Sequence, residues 1–170
     1  LPGDGYLGLR VGETVDVPRT LFFAEVQFEP LMQVKPHHGQ PDADFLICAA
    51  EAAEEIARAA QPVVIVGGGV ISAGATDAVI AFIEKYHLPV AHTLMGLGAI
   101  PSSHPQSLGF AGMHGEKAAN HAIGAADLVI ALGSRFGDRQ TGNLKKYTQN
   151  TKFIHVDIDP AEIDKNIGNS

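Results

Sequence analysis

From Asp44 onward the apolar and polar positions follow two alternating periods. In "DFLICAAEAAEEIARAA" (44–60), Phe45, Cys48, Ala49, Ala52, Ile56 and Ala59 form one stripe. Glu51, Glu54, Glu55 and Arg58 lie largely opposite, which predicts an amphipathic helix with Asp42 or Asp44 as its N-cap. "PVVIV" (62–66) is short, apolar and β-branched, the pattern of a buried strand. "GGGVISAG" (67–74) reads as a turn, and "ATDAVIAFIEKYH" (75–87) as a second helix with Ala78, Val79, Phe82, Ile83 and Tyr86 inward. "LPVAHTL" (88–94) is the next strand and "MGLGAIPSSHP" (95–105) a loop. The glycine-rich "GMHG" (112–115) feeds a helix in "EKAANHAIGAA" (116–126), followed by a strand in "DLVIALG" (127–133). "SRFGDRQTGNLKKYTQN" (134–150) reads as one long loop and "TKFIHVDID" (151–159) as the last strand. "PAEIDKN" (160–166) starts another helix, with Pro160 near its first position.

Strand and helix alternate, and the strands are continuous apolar runs. Both features predict an α/β fold, a doubly wound parallel sheet with helices on both faces. In such sheets ligands bind at the carboxyl ends of the strands. Five loops gather there: "GGGVISAG", "TLMGLG", "GMHG", "GSRFGDR" and "DID", each carrying glycine or charge. Residues 1–43 differ, holding Pro2, Pro18, Pro30, Pro36 and Pro41 and a linker-like "KPHHGQPDAD"; "ETVDVP" (13–18) is strand-like but has no local partner.

The 170-residue length suits one domain with a short extension. A net charge of −7 argues against a nucleic-acid or anionic-membrane partner, since both require a basic face. The single cysteine, Cys48, excludes an internal disulfide and a Cys-based zinc site; it fits a reducing, cytoplasmic setting and reads as an inert core thiol. No run is long and apolar enough to span a bilayer, and the N-terminus lacks signal-peptide regions. A start at Leu1 rather than methionine suggests a processed chain or a piece of a longer one.

Several stretches carry candidate chemistry. "GGG" (67–69) lies between a strand and a helix, but the fingerprint G-x-G-x-x-G needs glycine where Ser72 stands, so nucleotide contact and a plain tight turn both remain open. The eight histidines are scattered, with no metal-ligand spacing. No nucleophile elbow is present. In "GSRFGDR", Arg135 and Arg139 flank Asp138. They read either as a solvated ion pair or as forks for a carboxylate or phosphate, and two arginines beside bare glycine backbone favour the second. Asp157, ending a strand, suits either a ribose contact or a cap.

In this order and spacing, "PVVIVGGGV", "LPVAHTLMGLGAIP", "LGFAGMHGEKAANHAIGAADLVIALGSRFGDRQTGN" and "FIHVDIDPAEIDKN" resemble the central domain of the acetolactate synthase (acetohydroxyacid synthase) family, over about residues 60–167. "VDVPRTLFFAEVQFEP" (15–30) resembles, more weakly, the end of the family's preceding domain. The resemblance implies a Rossmann-like (DHS-like) central domain over 44–170, with 1–43 as the tail of the preceding domain and its linker. It implies a complete enzyme that uses thiamine diphosphate and magnesium to decarboxylate pyruvate and join the product to a second 2-ketoacid, beginning branched-chain amino-acid synthesis. Flanking thiamine-binding domains, and a homodimer or tetramer with or without a regulatory subunit, are implied as partners. The middle domain would hold FAD in a structural role. By resemblance Gly68, Thr93, Leu94, Ala111, Gly112, Met113, His114, Gly133, Ser134, Arg135, Phe136, Asp157 and Ile158 would contact FAD. Met113 and Arg139 would face the ketoacid, Arg139 as its carboxylate anchor and Met113 as apolar wall.

The chain departs from the family pattern at Gly137, which replaces the first aspartate of a usual "RFDDR", and in the linker, which offers Lys35, His37 and His38 for an arginine. The triplet "GDG" (3–5) is followed by "EPLMQV" where a thiamine-diphosphate magnesium loop needs paired asparagines, so that reading fails. The catalytic glutamate and magnesium loop are expected outside this chain, leaving it inactive alone. Two alternatives remain: a flavin-free scaffold subunit of the same fold, of the kind found in archaeal acetyl-CoA synthase complexes, and a nicotinamide-dependent enzyme, against which the missing third glycine counts.

Overall fold

Val63 to Val66 are buried on both sides, so the strand they form must sit inside a sheet covered twice. In the computed structural model, which describes residues 8–11, 43–147, 149, 151–159 and 161–167, this strand is second in chain order and central in the sheet. The elements are β1 (Gly8–Val11), α1 (Ala43–Arg58), β2 (Pro62–Val66), α2 (Gly68–Ser72), α3 (Thr76–Tyr86), β3 (Val90–His92), a 3-10 turn (Leu94–Gly96) and β4 (Ser107–Phe110). They continue with α4 (Lys117–Ala125), β5 (Leu128–Leu132), α5 (Asp138–Thr141), α6 (Leu144–Tyr147) and β6 (Lys152–Asp157).

The strand order is β1-β6-β5-β2-β3-β4. Five strands run parallel, as expected, and β1 adds an antiparallel edge by pairing Gly8–Val11 with Asp157–Ile154. The chain builds outward from β2 through β3 to β4, then crosses to β5 and β6. The order therefore reverses between β2 and β5, whose registers match from Pro62↔Leu128 to Val66↔Leu132.

Alternate residues of these strands feed two cores. Val64, Val66, Val90, Leu128, Ile130 and Leu132 meet Ala49, Ala52 and Ile56 of α1 and Val79, Phe82 and Ile83 of α3. Val63, Ile65, Ala91, Val129 and Ala131 meet Ala119 and Ile123 of α4 with Phe136. Each fully buried large aliphatic contributes roughly 1.5–3 kcal/mol. At the amino edge, the Asp127 carboxylate accepts the N–H groups of Ala60 (2.6 Å) and Gln61 (2.8 Å), tying the α1–β2 turn to the start of β5.

Several expectations are corrected. The turn expected at 67–74 contains α2, and the long loop expected at 134–150 contains α5 and α6. β4 was not expected at all. The strand expected at 88–94 is confined to Val90–His92, and the loop after it opens with a 3-10 turn. The expected helix from Pro160 is not formed, since residues 161–167 make successive turns; Pro160 itself lies outside the described residues. Asp44 lies inside α1 rather than at its cap, while Asp42 and the "ETVDVP" stretch lie outside the described residues, as do the side chains of Phe45 and Cys48. Glu55 is buried rather than on the solvated face, because Lys152 of β6 reaches it at 2.8 Å and compensates its charge.

Candidate functional site

The carboxyl edge is built around a backbone contact at the point where the strand order reverses. Gly67 N–H donates to Leu132 O (2.9 Å), Gly69 N–H to Gly133 O (3.1 Å) and Gly133 N–H to Val156 O (2.8 Å). A Cβ on Gly69 would stand 2.7 Å from Gly133 Cα, and one on Gly67 would overlap the Gly133 carbonyl. Gly67 and Gly69 are thus needed for loop-on-loop packing, the second function glycine serves besides ligand approach. Gly68 alone of the triplet turns toward another loop, its missing Cβ being 3.0 Å from Met95 Cβ.

At the end of β3, Thr93 Oγ1 accepts Gly96 N–H (3.1 Å) and caps the 3-10 turn. That turn presents Leu94, 67% exposed, and Met95, 71% exposed. At the end of β4, Ala111 is buried and Gly112 is held between the two ends of the Asn120 carboxamide, each at 2.9 Å. Met113, 68% exposed, follows, and its N–H donates to the Arg139 carbonyl at 2.9 Å. His114 is exposed beside it. With Leu97 and Ile158 these side chains give the carboxyl edge an exposed apolar character, unusual for large apolar groups left in water.

Beyond β5, Ser134 is buried and its hydroxyl donates to Gln140 Oε1 at 3.1 Å. Arg135 is exposed, while its carbonyl accepts Asn166 Nδ2 (2.8 Å). Among the described residues neither Arg135 nor Arg139 makes an ion pair; Asp138 instead accepts the Arg139 backbone N–H at 2.8 Å. The solvated Arg–Asp pair is therefore not formed, and two permanently charged forks stand open at the edge. Phe136 has φ 51° and is only 2% exposed. Its ring packs edge-on against His155, Phe153 and Tyr147, leaving only its backbone to meet a ligand. The side chains of Ala111 and Ser134 are likewise turned inward.

His155 is buried and its Nε2–H donates to Ser134 O at 2.7 Å. Burial lowers its pKa, opposed by that hydrogen bond and by the carboxylates of Asp157, Asp164 and Glu162. Asp157 is 9% exposed and Oδ1 accepts Asp159 N–H at 3.0 Å, closing a local turn; it caps no helix, since none follows among the described residues, and Ile158 is exposed next to it.

A cavity of about 310 Å³ opens between α4 and the α5–α6 segment, lined by Met113, Arg139, Gln140, Ile123 and Tyr147 among others. Burial raises the Tyr147 hydroxyl well above the usual phenol range, and the Gln140 side chain faces it. Gln140 Nε2 and the Tyr147 hydroxyl are both buried without a partner as the amide stands. Met113 and Arg139, which the family resemblance assigns to a ketoacid, both line this cavity, whereas Met95, Asn120 and Gln140 were not singled out from the sequence. Asn120 carries one signal, an amide in an alanine-rich helix just after a glycine turn. Among the described residues no group of three His, Cys, Asp or Glu could hold a metal ion, and no helix is long and apolar enough to cross a membrane.

A doubly wound α/β domain whose strand order reverses at a glycine contact places its candidate ligand edge at the carboxyl ends of the strands, as enzyme domains of this class do. Residues 49–169 match the family described as "Thiamine pyrophosphate enzyme, central domain", and the chain belongs to that family. It is similar to the "Probable acetolactate synthase large subunit" of Methanocaldococcus jannaschii, 40% identical over 90% of this chain and 27% of that protein. It is similar also to the "Acetolactate synthase" of Mycobacterium bovis (45% identical; 89% of this chain, 25% of that protein). The "Acetolactate synthase large subunit" of Lactococcus lactis subsp. lactis is 42% identical (89% of this chain, 26% of that protein). The chain thus spans about a quarter of the length of these relatives.

Proposed function

We propose that this chain is the central domain of an acetolactate synthase large subunit, a cytoplasmic carboligase that condenses pyruvate with a second 2-ketoacid in branched-chain amino-acid synthesis. The observation that carries the reading is the Met113–Arg139 tie, which sets an exposed apolar side chain and a guanidinium with no ion-pair partner among the described residues at one mouth. A ketoacid needs both. Its carboxylate stays ionised and calls for a cation that cannot lose its charge, while its short alkyl chain calls for a wall that excludes water. Arg139 binds and orients the carboxylate, and Met113 covers the alkyl group.

The carboxyl edge fits FAD by its donor set. Arg135 answers pyrophosphate charge, Gly68, Gly112 and Gly133 leave backbone bare, and Leu94, Met113 and Ile158 offer apolar faces to the rings. Thr93, Ala111, His114, Ser134, Phe136 and Asp157 complete the contact set, Ala111, Ser134 and Phe136 through their backbone. FAD is structural here and undergoes no net redox change. In the longer protein, flanking domains hold thiamine diphosphate and magnesium, and thiamine diphosphate supplies the carbanion chemistry of decarboxylation and ligation. This chain's part is to bind, orient and shield the acceptor.

Titrating FAD into this chain and following flavin fluorescence tests the cofactor reading: quenching at micromolar protein is expected, and its absence removes FAD from this domain. Replacing Arg139 by Ala in the full-length enzyme tests the substrate reading. Acceptor KM is expected to rise by roughly 10–100-fold with flavin retained; unchanged kinetics removes the carboxylate role.

A further inference from the structure

Asn120 lies near the start of α4, eight residues beyond Gly112, and its carboxamide is used from both ends. Oδ1 accepts Gly112 N–H at 2.9 Å and Nδ2 donates to Gly112 O at 2.9 Å. One hydrogen bond leaves a residue free to swing about it, whereas two from a planar amide fix both position and orientation. Gly112 needs that restraint. Its φ of 133° is closed to L side chains, and a Cβ there would stand 2.9 Å from the Arg139 carbonyl. The next peptide carries the restraint onward, because Met113 N–H donates to that same carbonyl at 2.9 Å. Asn120, Gly112, Met113 and Arg139 thus form one continuous chain of contacts.

A carboxamide carries a donor and an acceptor on separate atoms of one rigid plane, which matches the N–H and C=O of Gly112. Asparagine is also a weaker helix former than the alanines beside it, so α4 gains nothing from it as a helix. We infer that Asn120 is a positioning residue for the acceptor site: it sets the peptide that fixes where Met113 and Arg139 stand relative to each other. The inference rests on the reading of that pair as the ketoacid-facing residues.

The test uses the full-length, cofactor-loaded enzyme with Asn120→Ala, Asn120→Asp and Arg139→Ala compared in parallel. Steady-state kinetics, flavin content and thermal midpoint are read for each. Asn120→Ala is expected to raise acceptor KM about tenfold while kcat falls no more than about twofold and flavin content holds. Asn120→Asp keeps the acceptor end and loses the donor, and should raise KM by an intermediate factor. It is nearly isosteric, so the same split decides the matter if the alanine variant does not fold. A lowered thermal midpoint with unchanged KM in the Asn120 variants, while Arg139→Ala raises it, makes Asn120 a structural residue only and overturns the inference. Unchanged KM in Arg139→Ala removes the ketoacid reading, and this inference with it.

Discussion

Met113 N–H donates to the Arg139 carbonyl at 2.9 Å, so the loop after β4 and the helix α5 beyond β5 are locked at the backbone, not through their side chains. Gly112 makes this approach possible. Gly112→Ala combines a forbidden φ with a Cβ 2.9 Å from the Arg139 carbonyl. It should destabilise the domain by about 2–4 kcal/mol. Urea unfolding of this chain reads the loss, and an unchanged midpoint would show that the loop yields freely.

The glycine contact at the strand-order reversal gives a matched comparison. Gly133→Ala places a Cβ 2.7 Å from Gly69 Cα, whereas Gly74, with φ 63°, has nothing within 4 Å of its missing Cβ. Gly74→Ala should cost about 1 kcal/mol, from backbone strain alone. Gly133→Ala should cost at least about 2 kcal/mol more, because overlap is added to strain. Equal unfolding midpoints for the two variants would contradict the packing role.

His155 carries a pH signature. Its folded pKa lies below the unfolded value of 6.5, chiefly through burial. The unfolded chain therefore takes up the proton first as pH falls, so stability should be full above about pH 7 and decline from pH 6.5 downward until the folded pKa is passed. His155→Gln removes this contribution. The loss of urea midpoint between pH 7.5 and pH 5.5 should be smaller in that variant than in the parent chain, and identical losses would contradict it.

Asp127 tests the opposite edge of the sheet. Its carboxylate accepts two backbone N–H groups, at 2.6 and 2.8 Å, so Asp127→Ala should destabilise by about 2 kcal/mol. Hydrogen exchange should show Ala60 and Gln61 losing protection selectively. Acceptor kinetics of the full-length enzyme at permissive temperature should not move, since Asp127 is remote from the carboxyl edge.

What the sequence makes legible follows from where each element sits. β2 and β5 are readable because the central strands are covered on both faces and leave continuous apolar runs, and β6 because from Ile154 its apolar residues alternate with polar ones. β4 is not, because Ser107–Phe110 is an edge strand, half-buried throughout, with neither alternation nor a continuous apolar run. α5 and α6 have four residues each, too few for a helical period to emerge. Glu55 looks solvent-facing in its own helix, and its burial is made tolerable by Lys152, distant in sequence, at 2.8 Å together with Arg58 of the same helix at 3.5 Å. At the site, Arg139 is legible as a charge beside bare glycine backbone, and Met113 only through the family resemblance. Asn120 is not, since its role lies in a loop that meets it only after folding.

The backbone-to-backbone seam between Gly69 and Gly133 has a consequence for binding. Because the loops after β2 and β5 touch without side chains between them, neither can close over a ligand by itself. At this seam the relief of the edge is set by the backbone itself, so a molecule bound there should spend little of its affinity on ordering these two loops. On the proposed function, this part of the edge would act as a mould, and adaptation to different ketoacids would fall to the exposed, flexible side chain of Met113, not to the frame that holds it.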